Sequence, residues 1–339
     1  MDKHVSIKDI ALKLGVAPST VSRALNGNSG VGKALREKIK AMALKLNYKP
    51  NPFAVGLVKQ TPHIIGIIIP DIVTHFYSSI ISGIGDTARA NGYSVVITTS
   101  YEQYELEKHC IDDLNNIRVE GIIACLSQET SDYKHFENVV NQGVPLVFFD
   151  RVCLTDRCSS VVADNERSAY QAVQHLIANG YKRIAYIGGN EHLNIVDQRR
   201  RGYVRALADN CLPVYSDLMV DNLPMTYKSG RKAVRQLLAL RRRPDAILAI
   251  NDILAFGAMS EIKSRNLQIP TDIGLVGYSD ELHATFVEPA LTTVTHHTYE
   301  IGSVACDLLL RRINDATVKP KSVVIPTFLK IRASTAKRR

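Results

Sequence analysis

From His63 onward, short runs of apolar residues alternate with amphipathic stretches of helical period, and this pattern limits the fold more than any other feature of the chain. Strand candidates cover 64–69, 94–98, 121–124 and 146–149, then 184–187, 246–250 and 274–276. Helix candidates such as 76–91, 165–180 and 252–266 lie between them. A strand that is apolar at successive positions buries both of its faces. That is the condition of a parallel sheet covered by helices on each side. Two sets of such units predict two Rossmann-like subdomains, and a chain of 339 residues is in any case too long for one ordinary domain. In open sheets of this kind ligands bind beyond the carboxyl ends of the strands. Asp71, Asp150, Asp164, Asn251, Asp252, Ser279 and Asp280 fall there. A lone carboxylate after a strand also reads as a helix N-cap, and Asp252 and Asp280 are assigned to that role.

Charge separates the first part of the chain from the rest. Eleven Lys and Arg against three Asp and Glu lie in residues 1–60, out of a net charge of +9, so the remainder is close to neutral. A basic module on a neutral body fits a polyanionic partner. The six cysteines form no CxxC pair and lie mostly in apolar or helical runs, as core thiols of a reducing compartment do. The opening MDKHVSIKDI carries no apolar signal core, and the run 64–70 is too short to span a bilayer, so a cytoplasmic location is expected.

Within the basic module Ile7, Ile10, Ala11 and Leu14 share one helical face, with Ser6 and Asp9 spaced as a capping box and Gly15 as a stop. Pro18 suits the first position of a second helix, whose inward residues are Val21, Ala24 and Leu25, although Ala17 is a poor cap. Leu35, Ile39, Met42, Ala43 and Leu46 make the buried stripe of a third helix. Two short helices joined by a tight glycine turn form a helix-turn-helix. The outward face of the second presents Ser19, Thr20, Ser22 and Arg23. Small hydroxyl side chains let a helix lie deep in a major groove, where an arginine can bond guanine through two donors.

The stretch SIKDIALKLGVAPSTVSRALNG resembles the opening signature of the LacI/GalR family of bacterial transcriptional regulators. The resemblance implies base reading through the positions of Pro18, Ser19 and Arg23, and phosphate contacts through Thr20, Ser22 and Asn26. Proline has no donor, so reading should rest on Ser19 and Arg23. Ser6, Tyr48, Ala54 and Leu57 complete the implied DNA-binding set. VGKALR departs from the family's Val-Ser-x-x-Thr-Arg pattern and loses a cap hydroxyl at the third helix. Asn51 and Pro52 then open a very short segment. The resemblance implies that it is a hinge helix that folds on the operator, with Leu57 as a wedge in the minor groove. Val55 replaces the arginine that many relatives carry. Gly56 should cost roughly 0.5–1 kcal/mol of helix relative to alanine, so a hinge less ordered without DNA is expected.

The stretches GVPLVFFDR, HLIANGYKRIAYIGG, RRRGY, AILAINDILAFGAM and IGLVGYSD through PALTTV are similar to the effector core of the same family, which has the periplasmic sugar-binding-protein fold. The implied class is α/β: a small all-α head at 1–47, a hinge at 48–61 and a two-subdomain core at 62–339. One subdomain would hold 62–163 and 293–325, the other 164–292 with the C-terminal segment. The chain would cross between them three times, with the effector in the cleft. Carried over by position, the effector contacts are Phe76, Tyr77, Asp150, Arg199, Met225, Asn251 and Ser279. An aromatic face for a sugar ring, with Asp, Arg and Asn for its hydroxyls, suits a polyol. Ser279 stands where sugar- and purine-responsive relatives often have Asp, and Met225 where they often have an aromatic. Leu193 replaces an arginine of the purine-responsive relatives. A carbohydrate or sugar derivative is therefore the expected effector class.

No GxSxG, HExxH, Walker A or GxGxxG motif occurs. Gly188-Gly189 after a strand reads as a simple turn, and adjacent His296 and His297 point to opposite sides of an extended strand, which is poor metal geometry. Neither a cofactor nor a metal is expected. The whole predicts a ligand-controlled repressor, acting as a homodimer on a pseudo-palindromic operator. No heptad segment follows Phe328-Leu329, so a coiled-coil tetramer is not expected. The alternatives are an exported sugar-binding protein, disfavoured by the helix-turn-helix, and an enzyme on the same fold, for which no catalytic constellation is found.

Overall fold

The computed structural model describes residues 5–25, 29–46, 48 and 62–336. The chain divides into two compact units, Met1–Pro62 and His63–Arg339.

The first unit contains α1 (Ile7–Leu14), α2 (Pro18–Leu25) and α3 (Lys33–Lys45). The expected capping box forms at α1. The Asp9 amide donates to Ser6 Oγ at 3.4 Å and the Ser6 amide to the Asp9 carboxylate at 2.8 Å. Gly15 closes the helix at φ +66°, a conformation that costs a side-chain-bearing residue more. Gly32 precedes α3 and offers no side-chain cap, which is the loss expected from VGKALR. Ile10, Ala11, Val21, Ala24, Ile39 and Ala43 are buried together, with Leu14, Leu35, Met42 and Leu46 packed around them. The hinge expected at 48–61 lies, apart from Tyr48, outside the described residues. Asn26, Ala54 and Leu57 lie outside them too.

The second unit holds two six-stranded sheets. The first is built by β1 (Ile64–Ile69), α4 (His75–Ala90), β2 (Ser94–Thr99), α5 (Tyr104–Ile117), β3 (Gly121–Ala124), α6 (Lys134–Asn141), β4 (Leu146–Phe149) and β5 (Ser159–Ala163). The chain then supplies α7 (Asn165–Ala178), β6 (Ile184–Ile187), α8 (Asn194–Asp209), β7 (Met219–Val220), α9 (Tyr227–Leu238), β8 (Ala246–Ala249), α10 (Asp252–Ser264), β9 (Gly274–Ser279) and β10 (Thr292–His296) to the second. It ends with α11 (Thr298–Asn314), β11 (Ser322–Ile325) and β12 (Thr327–Lys330). Strand order is β2-β1-β3-β4-β5-β11 in one sheet and β7-β6-β8-β9-β10-β12 in the other. Every pairing is parallel except that of β10 with β12.

The apolar character of β1 has a direct structural cause. Ile65, Ile67 and Ile69 face a core shared with α4 and α11, whereas Ile64 and Ile68 face one shared with α5 and α6. Both faces are covered, so neither tolerates a polar residue.

The chain crosses between the sheets after β5, after β10 and between β11 and β12. The boundary read at 292/293 falls at the start of β10. That strand pairs with β9 of the second sheet, so the crossing lies past His296. Of the six cysteines, Cys110, Cys125, Cys153, Cys158 and Cys306 are buried and Cys211 is exposed. Among the described residues no helix is long and apolar enough to cross a membrane, and no cluster of three or more metal-ligating side chains occurs.

Candidate functional site

On the head, the two inward positions of α2, Val21 and Ala24, turn the opposite side outward. Pro18, Ser19 and Arg23 are exposed, and Thr20, Ser22 and Tyr48 are half-buried. Ser6 is exposed but engaged in its capping box. Arg23 has no ion-pair partner among the described residues. It is an exposed fork of donors on a short helix flanked by small side chains.

In the second unit, all seven residues expected to contact an effector line one cavity between the sheets: Phe76, Tyr77, Asp150, Arg199, Met225, Asn251 and Ser279. Phe76 and Tyr77 come from the first turn of α4, with ring centroids 5.1 Å apart at 83°. Arg199 reaches in from α8. Its Nε donates to Asn165 Oδ1 at 2.9 Å, one Nη donates to the Ile250 carbonyl, and its guanidinium lies 3.8 Å from the Tyr278 ring centroid. The arginine is therefore fixed in place before any ligand arrives. Met225 is held through its amide, which donates to Gln128 Oε1 at 3.1 Å. Ser279 closes β9 at φ +114°, and Asp280 follows at +54°. Both have the positive φ that residues other than glycine seldom adopt.

Asp150 differs from the other members. It sits at φ +57° just beyond β4, is only 5% exposed, and its carboxylate has no hydrogen-bond partner among the described residues. Burial pushes its carboxyl above the usual range, and the positive charges of Arg199 and Arg151 pull against that. An unbonded buried carboxylate facing a cavity is an acceptor waiting for donors.

Sequence reasoning missed Thr74, Arg151, Ile195, Asp252, Ile253 and Glu281, which also line the cavity. Arg151 forms a bidentate pair with Glu102, at 2.7 and 3.0 Å. The cap reading of Asp252 and Asp280 is corrected. Asn251 caps α10 by accepting from the Leu254 amide at 2.8 Å. Asp252 is one residue inside the helix and fully buried, where it accepts from Thr293 Oγ1 and the Glu281 amide. Burial raises its carboxyl to about 7. Asp280 instead pairs with Lys330 and Arg332, both at 2.6 Å. The cap of α10 belongs to Asn251 because only that residue has extended backbone angles. The cavity measures about 60 Å³. Ligand pockets begin at roughly 300 Å³, so a drug-sized ligand does not fit the cavity as it stands.

A helix-turn-helix with an exposed second helix, together with a two-sheet unit around a polar cleft, defines a DNA-binding regulator with a small-molecule-binding core. Residues 6–51 match the family described as bacterial regulatory proteins, lacI family. Residues 62–333 match that of periplasmic binding proteins and the sugar binding domain of the LacI family. The chain is 34% identical over 333 residues to catabolite control protein A of Priestia megaterium, covering 98% of this chain and 99% of that one. A lac repressor dimer bound to operator and the anti-inducer ONPF superposes with a TM-score of 0.84 at 29% identity, covering 98% and 100% of the two chains. The transcriptional regulator CelR in complex with cellobiose gives 0.74 at 28%, covering 97% and 99%. The protein belongs to the LacI family of DNA-binding transcriptional regulators, which are not enzymes.

Proposed function

We propose that this regulator is a cytoplasmic repressor that binds a pseudo-palindromic operator as a homodimer and is controlled by a carbohydrate or sugar derivative in the cleft. The observation that carries the reading is Asp150, a buried carboxylate with no hydrogen-bond partner among the described residues, on the wall of a cavity that also presents Phe76, Arg199 and Asn251. An acceptor of this kind selects a ligand rich in hydroxyl donors, and the Phe76 ring offers its apolar face to a sugar ring. The cellobiose complex of CelR and the operator complex of the lac repressor dimer support the ligand class and the mode of DNA binding.

The head at 1–47 docks on DNA through Ser6, Pro18, Ser19, Thr20, Ser22, Arg23, Asn26 and Tyr48. The segment 48–61, with Ala54 and Leu57, acts as the hinge. The core at 62–339 binds the effector and the second copy. Val73 and Phe286, 86% and 76% exposed, are large apolar side chains suited to burial against that copy.

The test is a thermal-shift screen of the protein against sugars, sugar acids, sugar phosphates and nucleobases. A ligand that binds only the folded state raises the melting temperature by mass action. A carbohydrate hit that disappears in Asp150→Ala and Arg199→Ala supports the reading. A hit confined to nucleobases, or one unaffected by either substitution, contradicts it.

A further inference from the structure

Helix α4 is capped by a residue from the other sheet half. Its own N-cap residue, Thr74, has extended backbone angles suited to capping, yet its side chain makes no cap bond. Thr74 Oγ1 is buried with no hydrogen-bond partner among the described residues. The first-turn amides of His75 and Phe76 instead donate to the carboxylate of Glu281, at 3.0 and 3.1 Å. Glu281 lies more than two hundred residues further on, in the loop after β9 of the second sheet, and is 6% exposed. That loop is held firmly. The Glu281 amide donates to Asp252 at 2.8 Å, Asp252 accepts from Thr293, and Asp280 is clamped by Lys330 and Arg332.

We propose that α4 exchanges caps as the cleft opens and closes, with Glu281 as the latch of the closed state and Thr74 as the cap of the open state. In the closed state the Glu281 carboxylate takes the two amides through charge-assisted bonds and sits where the helix dipole favours an anion. The Thr74 hydroxyl is then left without a partner, a cost the closed state bears. Parting of the halves withdraws Glu281. Thr74 can then satisfy an α4 amide as an ordinary N-cap, so the open state is not left with a bare helix end. The element thus has two arrangements, each with a different satisfied set, which is what a population shift requires. Both caps line the ligand cavity, so a ligand there meets the switch directly. The inference goes beyond the effector reading, because the exchange operates without ligand or DNA and does not depend on the ligand's identity.

The experiment measures the distance between spin labels at Ser131→Cys and Lys228→Cys in a Cys211→Ser background. The full-length protein is diluted with unlabelled chain and kept free of ligand and DNA. Ser131 and Lys228 are exposed on opposite halves, and the remaining cysteines are buried. Glu281→Ala should raise the open-to-closed ratio about tenfold, with Glu281→Gln between it and wild type. Thr74→Ala should lower the ratio about fivefold, and Thr74→Ser should leave it unchanged. Thr74→Ala is read in both the wild-type and the Glu281→Ala backgrounds, so a minor open state does not hide its effect. A ratio unmoved by Glu281→Ala overturns the latch. Thr74→Ala that leaves the ratio unchanged, or moves it the same way as Glu281→Ala, overturns the exchange. A failed effector screen would leave both measurements intact.

Discussion

Single residues divide into those prepared for a partner and those whose burial sets stability. Arg23 is of the first kind. Arg23→Ala should cost about 1–3 kcal/mol of specific operator binding and much less of non-specific binding, measured by competition with random duplex. Equal losses would mean that it holds phosphate only. His296 is of the second kind. It is buried against the Phe76 and Tyr278 rings, and neither ring nitrogen has a hydrogen-bond partner among the described residues. Burial, then Arg199 and His297, lower its pKa to about 3. A histidine whose folded pKa lies below its ordinary 6.5 contributes fully above that value and loses the contribution as pH falls toward 3. Between pH 7 and 5 the wild-type melting temperature should therefore fall more than that of His296→Met. Equal falls would contradict this account. The sequence separated His296 from His297 by strand alternation. It could not reveal that the Asp150 carboxylate has no hydrogen-bond partner among the described residues, which depends on the tertiary surroundings, or that Asp252 leaves capping to Asn251, which follows from backbone angles that no residue type dictates.

Strands were legible where successive residues were apolar. The seven strands read from the sequence are central or deeply buried, apart from the edge strand β2. The five not read are β7, with two residues, β11 and β12, which have alternating exposure, and β5 and β10, which are central and buried but carry Ser159, Ser160, Thr292, Thr293 and Thr295 where an apolar run would show. Helix packing was hidden for another reason. α4 and α11 approach so closely that a Cβ on Gly83 would collide with the Tyr299 carbonyl, and one on Gly302 with that of Ile80. Inside a helix pattern such glycines look merely unfavourable. Gly302→Ala should destabilise the core by about 1–3 kcal/mol through overpacking. Gly85→Ala on α4, where a Cβ meets nothing within 4 Å, should be neutral or stabilising. Urea denaturation of the two variants makes the comparison, and similar losses would show that the α4–α11 approach is not the cause.

At the scale of the whole molecule the account is one of linkage. Family and fold class followed from motifs and periodicity, which are local pattern, whereas the seven cleft positions came only from the family resemblance. The capping of α4 by Glu281 followed from neither, because it joins residues from opposite ends of the core. If the ligand changes the closure of the two sheet halves and closure changes DNA affinity, then ligand and operator affinities are coupled reciprocally, typically by 1–3 kcal/mol. The most direct measurement is the affinity for a duplex selected from random sequence by the protein itself, read by fluorescence anisotropy at fixed salt. It is taken with and without the carbohydrate identified by thermal shift, in wild type and in Asp150→Ala. The account predicts that the ligand changes wild-type affinity about 5- to 150-fold, and that Asp150→Ala binds the duplex normally but ignores the ligand. Equal affinities with and without ligand in the wild type, or a ligand response preserved in Asp150→Ala, would contradict it.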